Sequence, residues 1–419
     1  MIREKTITTF APEMERIQWF MTWAWALCLC TLLFSCSSDD EDLAVQETIP
    51  TRTVLAYMIA ENSLSSAAVS DVNEMLAAAT YLGEGDHLIV YIDNTTLPRI
   101  YDITANETAT TMSALSPVMT YEEDLNSASA EVLQDIIAWT LNNYPADSYG
   151  LILWSHGTGW LPNGTSDSSS SSASSPKRKT FGVDNESNTT SNSGSTMNLS
   201  DLADALEQGP HWEFILSDAC FMQSFEIAYE LQDYADWLIA SPAEIPYDGA
   251  PYNTVVPTLF STTFDATATV DAYLEAYTGC LLSAIDCSLL NNLAASTASL
   301  LLAYEEEILA MDLSNVLNYF DYDAYGTQLP IPDCYDPQGV LLQVATTEEL
   351  TDWQIVLTQV VYAPYKSSWY SAYPARYLSV DEDQYSGLAL FLPLDKYNSR
   401  HAEFITAYRQ TRWGQYVGW

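Results

Sequence analysis

The sequence predicts an α/β protein: a parallel sheet sandwiched between helices on both faces, followed by a mixed α/β lobe. Three features lead to this class: short unbroken apolar runs rich in β-formers, helical spacing between them, and reactive side chains directly after two of the runs. A strand with one buried face alternates apolar and polar residues, whereas a strand covered on both faces reads as a continuous apolar run. Runs of the second kind separated by helices indicate parallel strands joined by crossover helices.

The first run is Val54-Leu55-Ala56-Tyr57-Met58-Ile59-Ala60, and residues 66–80 follow with helical spacing. His87-Leu88-Ile89-Val90-Tyr91-Ile92-Asp93 is the next strand. A helix over about 128–143 leads to Leu151-Ile152-Leu153-Trp154, and one over 199–208 leads to Phe214-Ile215-Leu216. A further helix is expected over 221–231. Between them, about 163–197 is a polar insertion whose serine-rich centre, 168–175, is low in complexity and flexible, and Pro176-Lys177-Arg178-Lys179 follows it. Beyond about Val255 the pattern turns helical through Leu313 and then mixed, with Gly387-Leu388-Ala389-Leu390-Phe391-Leu392 reading as a late strand. The expected division is a first domain over 51–255 and a C-terminal lobe over 256–419.

The N-terminus reads as an address. From Trp19 to Phe34 the chain is almost wholly apolar, Arg16 precedes the stretch, and Ser37-Ser38-Asp39-Asp40-Glu41-Asp42 follows it. That is short for a bilayer and suits a secretory signal over 1–35. Cys36 at its edge resembles the acylated cysteine of a bacterial lipobox, although Phe34 departs from the small residue usual there. The Ser/Asp run resembles the surface-export signal of some Gram-negative lipoproteins. The expectation is an exported outer-membrane lipoprotein, exposed at the cell surface, held to the membrane through Cys36, with 36–50 as an acidic tether. An ordinary cleaved signal with an incidental cysteine is the alternative.

With 14 Lys+Arg against 56 Asp+Glu the formal charge is −42, which repels phosphate backbones and excludes nucleic acid as a partner. The charge suits either solubility at a crowded surface or attraction of cationic substrates. Seven cysteines and four histidines are scattered, with no CxxC pair, no HExxH and no EF-hand loop, so no metal-ligand set is predicted.

In open parallel sheets, sites gather beyond the carboxyl ends of the strands. Ser155-His156-Gly157 follows the third run and Ser217-Asp218-Ala219-Cys220 the fourth, so both face one crevice. A thiol becomes a strong nucleophile when an imidazole or a helix N-terminus stabilises its thiolate. Taken alone, Cys220 is equally well a buried small hydrophobe or a disulfide partner, and His156 a structural histidine. Gly157 and Gly159 allow a backbone that leaves an N–H facing a substrate oxygen, as an oxyanion site requires.

Trp154-Ser155-His156-Gly157-Thr158-Gly159-Trp160, and Asp218-Ala219-Cys220-Phe221-Met222 with Glu226, resemble the paired His-Gly and Asp-Ala-Cys motifs of the clostripain family. Glu61-Asn62, Asn143-Tyr144-Pro145-Ala146-Asp147, Ala240-Ser241-Pro242-Ala243-Glu244, Gly249-Ala250-Pro251-Tyr252 and Tyr385-Ser386-Gly387-Leu388 extend the resemblance from about residue 51 to the end. Thr158 stands where relatives often have Gly and Ser155 where Asp is frequent, and the serine insertion is long.

The resemblance implies a caspase-like fold and a cysteine endopeptidase. Cys220 is then the nucleophile, His156 assists proton transfer, and Gly157 and Cys220 supply oxyanion N–H groups. It also implies that Asp218 lines the pocket for the residue preceding the cut, with Asp248 as a second carboxylate by position. Such a pocket favours Arg or Lys, because a neutral side chain leaves buried charge uncompensated, and Arg binds bidentately. Asp218 is also placed to be a helix-start carboxylate. No cofactor is required by this chemistry. Calcium, associated with clostripain, stays open. The implied partners are protein or peptide substrates with exposed Arg or Lys. A surface binding lipoprotein that keeps the scaffold without turnover is the alternative.

Lys177, Arg178 and Lys179 lie side by side on the flexible insertion while other basic residues are sparse. An enzyme cutting after basic residues would find its own accessible target there, so self-cleavage at this triplet is expected to activate the chain. An exposed charged loop without a regulatory role is the alternative.

Overall fold

The structure is a computed structural model that describes residues 51–104, 109–161, 180–186, 189–329 and 331–419. Cys36 with the signal and tether, and Lys177, Arg178 and Lys179 with the serine stretch, lie outside the described residues.

The first strand, β1 (Arg52–Ile59), is buried along its whole length. Helix α1 (Ser65–Ala78) follows, then β2 (His87–Asn94), β3 (Thr96–Asp102) and the short β4 (Met119–Thr120). Helix α2 (Ala130–Asn143) begins where Ser129 accepts a hydrogen bond from the Val132 N–H at 3.3 Å, a cap worth about 1 kcal/mol. Its Leu133, Ile136 and Ile137 recur at helical spacing and are buried. Strand β5 (Ser148–Trp154) comes next, then the hairpin β6 (Phe181–Asp184) and β7 (Ser195–Met197). Helix α3 (Leu199–Glu207), β8 (Trp212–Asp218), helix α4 (Phe225–Leu231) and β9 (Ala235–Ala240) complete the central alternation.

Among the described residues, nine strands form one sheet in the order β11-β10-β9-β8-β5-β1-β2-β3-β4. Its two late members, β10 (Ser283–Asp286) and β11 (Val361–Tyr362), come from beyond residue 255. The pairs β1–β2, β1–β5, β5–β8 and β8–β9 are parallel, and antiparallel strands flank them on both sides. This is the sheet the continuous apolar runs predict. Leu55, Tyr57 and Ile59 of β1 join one core layer and Val54, Ala56 and Met58 the other. Helices α2, α3, α4 and α7 (Cys287–Ala303) contribute to the first layer. The second layer holds α1, α5 (Tyr252–Leu259) and α6 (Ala266–Glu275). Successive strands leave β1 toward β2 on one side and toward β5 on the other, so the order switches between β1 and β5, where crevices form in such sheets.

Two local expectations are corrected. The helix after Cys220 starts at Phe225, with Ser224 as its cap, because Phe221 takes a φ of 60° and turns the chain first. Residues 387–392 do not form a strand. Ala389 and Leu390 make single bridges to Ser224 and Tyr335, and the Phe391 N–H donates to Glu226 Oε1 at 3.0 Å. The run is apolar because it is buried, with the backbone of Gln223, Phe225 and Tyr335 and the Glu226 side chain as its partners. The remaining strands, β12 (Ser368–Ser371) and β13 (Arg376–Ser379), form a hairpin. No helix among the described residues is long and apolar enough to cross a membrane.

Candidate active site

The ends of β5 and β8 are level, since their register pairs Trp154 with Asp218, and His156 and Cys220 each stand two residues further on. The Ser155 N–H donates to the Asp218 carbonyl at 3.4 Å. Gly157 closes the junction: a Cβ there would lie 2.4 Å from the Cys220 carbonyl oxygen and 3.2 Å from its nitrogen. Only glycine lets the His156 loop lie this close to the Cys220 backbone.

His156 reaches across the switch between β5 and β1, its Nε2 lying 2.9 Å from Ser63 Oγ. Asn62 fixes that corner, its Nδ2 donating to the Ile59 carbonyl at 2.9 Å and the Val183 carbonyl at 2.8 Å. The Gly182 N–H donates to the His156 carbonyl at 2.9 Å, and the Thr158 N–H to that of Thr180 at 3.2 Å. The chain immediately after the basic triplet is therefore threaded along the histidine loop.

Cys220 is partly exposed and its Sγ accepts from the Ile245 N–H at 3.5 Å. Burial pushes its thiol up to about 12, with the negative charges of Glu244 and Asp218 adding to this and the Ile245 N–H opposing it. The thiol is thus neutral at physiological pH in this conformation. Glu244, itself buried, holds the Ile245 loop against the β12–β13 hairpin, accepting from Ser371 Oγ at 2.7 Å and Trp369 Nε1 at 3.2 Å. The helix N-terminus expected beside the thiol is displaced by the turn at Phe221.

Asp218 is 2% exposed. Its Oδ2 accepts from the Ala250 N–H at 2.9 Å and Tyr252 Oη at 2.8 Å, and its Oδ1 from Tyr273 Oη at 3.1 Å. Burial raises its pKa and these three donors hold it down. Its donors come from α5, α6 and the preceding loop, so Asp218 is buried between these elements and is not set at the start of the helix after Cys220. Asp248 is exposed on the turn before Gly249.

Cys220, Cys280, Cys287 and Cys334 are all free thiols. Among the described residues, Glu61, Asp93 and Asp184 each offer one oxygen within 4.8 Å of the others. Asp93 is fully buried, with Oδ2 accepting from Ser127 Oγ at 2.5 Å and Oδ1 lacking a hydrogen-bond donor. Burial and the charge of Asp184 push its carboxyl well above the usual range. Three buried carboxylates with oxygens this close suit a hard divalent cation by donor type.

Sequence reasoning gave no role to Ser63, Glu244, Tyr252 or Tyr273. Glu244 and Tyr252 stand in segments that resemble the clostripain family, whereas Ser63 and Tyr273 carry no local signal.

The clostripain family matches over residues 56–370, three quarters of the chain. A secreted C11 cysteine protease from Bacteroides thetaiotaomicron, solved with an irreversible peptide inhibitor, is 29% identical with a TM-score of 0.70. An inactive zymogen C11 protease from Parabacteroides distasonis is also 29% identical, with a TM-score of 0.72. Each comparison covers 88% of this chain and 99% of the other. No curated protein matches. The chain belongs to the clostripain family and is a cysteine peptidase.

Proposed function

We propose that the chain is an endopeptidase that hydrolyses the bond after Arg or Lys, with Cys220 as nucleophile and His156 as proton carrier. What supports this is the level ending of β5 and β8, with His156 and Cys220 each two residues beyond it and Gly157 against the Cys220 backbone. The thiol proton passes to the imidazole and the thiolate sulfur attacks the scissile carbonyl carbon. The N–H groups of Gly157 and Cys220 hold the oxyanion. The imidazolium returns the proton to the leaving amine, and water cleaves the thioester by the same exchange. Asp218 and Asp248 take the basic side chain. No metal takes part in these steps.

Activation follows from a cut within Lys177, Arg178 and Lys179. What supports this is the position of Thr180: it is buried, donates its Oγ1 hydrogen to the Leu161 carbonyl at 3.3 Å, and pairs with the histidine loop. A cut just before it places a chain end beside His156, freeing that loop to rearrange and bring the imidazole to the thiol. The inactive zymogen among the solved relatives makes a dormant form reasonable in this fold. Turnover of a fluorogenic Arg peptide, read beside a denaturing gel, tests it. The triple variant Lys177→Ala, Arg178→Ala, Lys179→Ala is expected to stay uncut and to lose at least roughly tenfold in activity. Full activity in an uncut chain would contradict the proposal.

The mature chain is anchored in the outer membrane by acylation of Cys36 and faces the cell exterior. The apolar stretch before Cys36 and the acidic run after it support this. Radiolabelled palmitate is expected in the wild-type chain and absent from Cys36→Ser, and equal label in both would sink the anchor. Calcium is proposed as a structural ion at Glu61, Asp93 and Asp184. Millimolar calcium is expected to raise Tm in the wild type and not in Asp93→Asn, and an equal rise in both would remove this assignment.

A further inference from the structure

Asp71 lies on α1, far in sequence from both catalytic motifs, and is 1% exposed. Its Oδ2 accepts the indole hydrogen of Trp154 at 2.7 Å, and Trp154 is the β5 residue paired with Asp218. Gly249 joins the two acids. Its φ is 66°, and a Cβ there would lie 2.9 Å from Asp218 Oδ2, 2.9 Å from Asp71 Oδ2 and 3.4 Å from Trp154 Nε1. The two carboxylates therefore converge on one missing methyl group. Among the described residues, neither forms an ion pair with a lysine, arginine or histidine.

We propose that Asp71 is a further specificity-determining carboxylate, which with Asp218 supplies the paired negative charge that a guanidinium or ammonium side chain neutralises on entering the pocket. This rests on the proposed cleavage after Arg or Lys. Two carboxylates this close in a dry place do not both ionise without a cation. Burial first, and the charge of Asp218 next, hold the Asp71 carboxyl up to about 9, so without a cation beside it the pair keeps a proton at neutral pH. The other titratable groups facing Asp71 are Glu74 on its own helix, Asp248 on the turn, Tyr252 on α5 and Tyr277 after α6. The acids among them add negative charge and the two phenols stay neutral, so none supplies the missing cation. An entering Arg does, and the proton leaves. Binding of a basic substrate thus releases a proton, and KM falls as pH rises toward about 9.

The test compares full chains cut at the basic triplet by immobilised trypsin, so that activation does not depend on the pocket under study. Peptides carry Arg, Lys or Gln before the cut. Asp71→Asn is expected to raise KM for the Arg peptide roughly 30-fold, leave kcat within about threefold, leave the Gln peptide unaffected, and flatten the pH dependence of KM. Folding is checked by Tm and by alkylation of Cys220, and Asp71→Leu carries the same expectation should the amide variant not fold. A folded variant with KM within about twofold of wild type, while wild type requires a basic residue, overturns the role of Asp71 alone. A wild-type enzyme that cuts the Gln peptide as well as the Arg peptide overturns this role together with the basic specificity beneath it.

Discussion

Cys220→Ala is expected to lower kcat/KM for an Arg peptide by at least roughly ten-thousand-fold and to leave the chain in one piece. The size follows from covalent catalysis: without the sulfur no thioester forms, and the oxyanion donors and the pocket retain only the binding part of the rate enhancement. Alanine keeps the Cys220 N–H, so a residual rate reports the oxyanion site by itself. The uncut wild type should also be sluggish toward a neutral alkylating agent. With burial holding the thiol up to about 12, little thiolate is present at pH 7, and alkylation should quicken as pH rises. If cutting lets the imidazole approach, the thiol pKa should fall and the alkylation rate at pH 7 should rise. Equal alkylation at pH 7 before and after the cut would sink the view that the cut assembles the dyad. A Cys220→Ala chain that still hydrolyses the peptide would remove the cysteine from the chemistry.

The parallel strands were legible because burial on both faces leaves a one-dimensional mark, an unbroken apolar run. Burial without pairing leaves the same mark, which is why residues 387–392 read as a strand although they bridge singly to Ser224 and Tyr335. The start of α4 was hidden by Phe221, whose positive φ has no signature in the side chain itself, while Ser224 is a cap residue of ordinary type. His156 and Cys220 were legible as short motifs at strand ends. Their supports were not, because each is a long-range contact: Ser63 is 93 residues from His156, Glu244 lies 125 and 127 residues from Trp369 and Ser371, and Tyr273 lies 55 from Asp218. Such pairs are set by how helices and loops land on the sheet, which no local pattern encodes.

Asp218→Asn is expected to reduce kcat/KM for Arg and Lys peptides by roughly a thousandfold, with most of the loss in KM. The substitution is informative because the site can accept an amide without rearranging. The amide oxygen can take the Oδ2 position, where it accepts from the Ala250 N–H and the Tyr252 hydroxyl. The amide nitrogen then faces Tyr273, whose hydroxyl can turn and accept instead of donate. Fold and packing are kept and the charge alone is lost. A buried carboxylate opposite an Arg is an ion pair in a low dielectric, and removing one partner strands the other at a cost of about 3–5 kcal/mol. Asp248 gives the internal comparison: it is exposed and screened, so Asp248→Asn should cost no more than about fivefold. Arg should lose more than Lys in Asp218→Asn, since a planar guanidinium forfeits a bidentate contact where an ammonium forfeits a point charge. The decisive quantity is the ratio of kcat/KM for Arg over Gln peptides. If that ratio survives in a folded Asp218→Asn chain, the basic side chain is held elsewhere, and the convergence of Tyr252, Tyr273 and Ala250 on Asp218 only anchors the loop that carries Asp248.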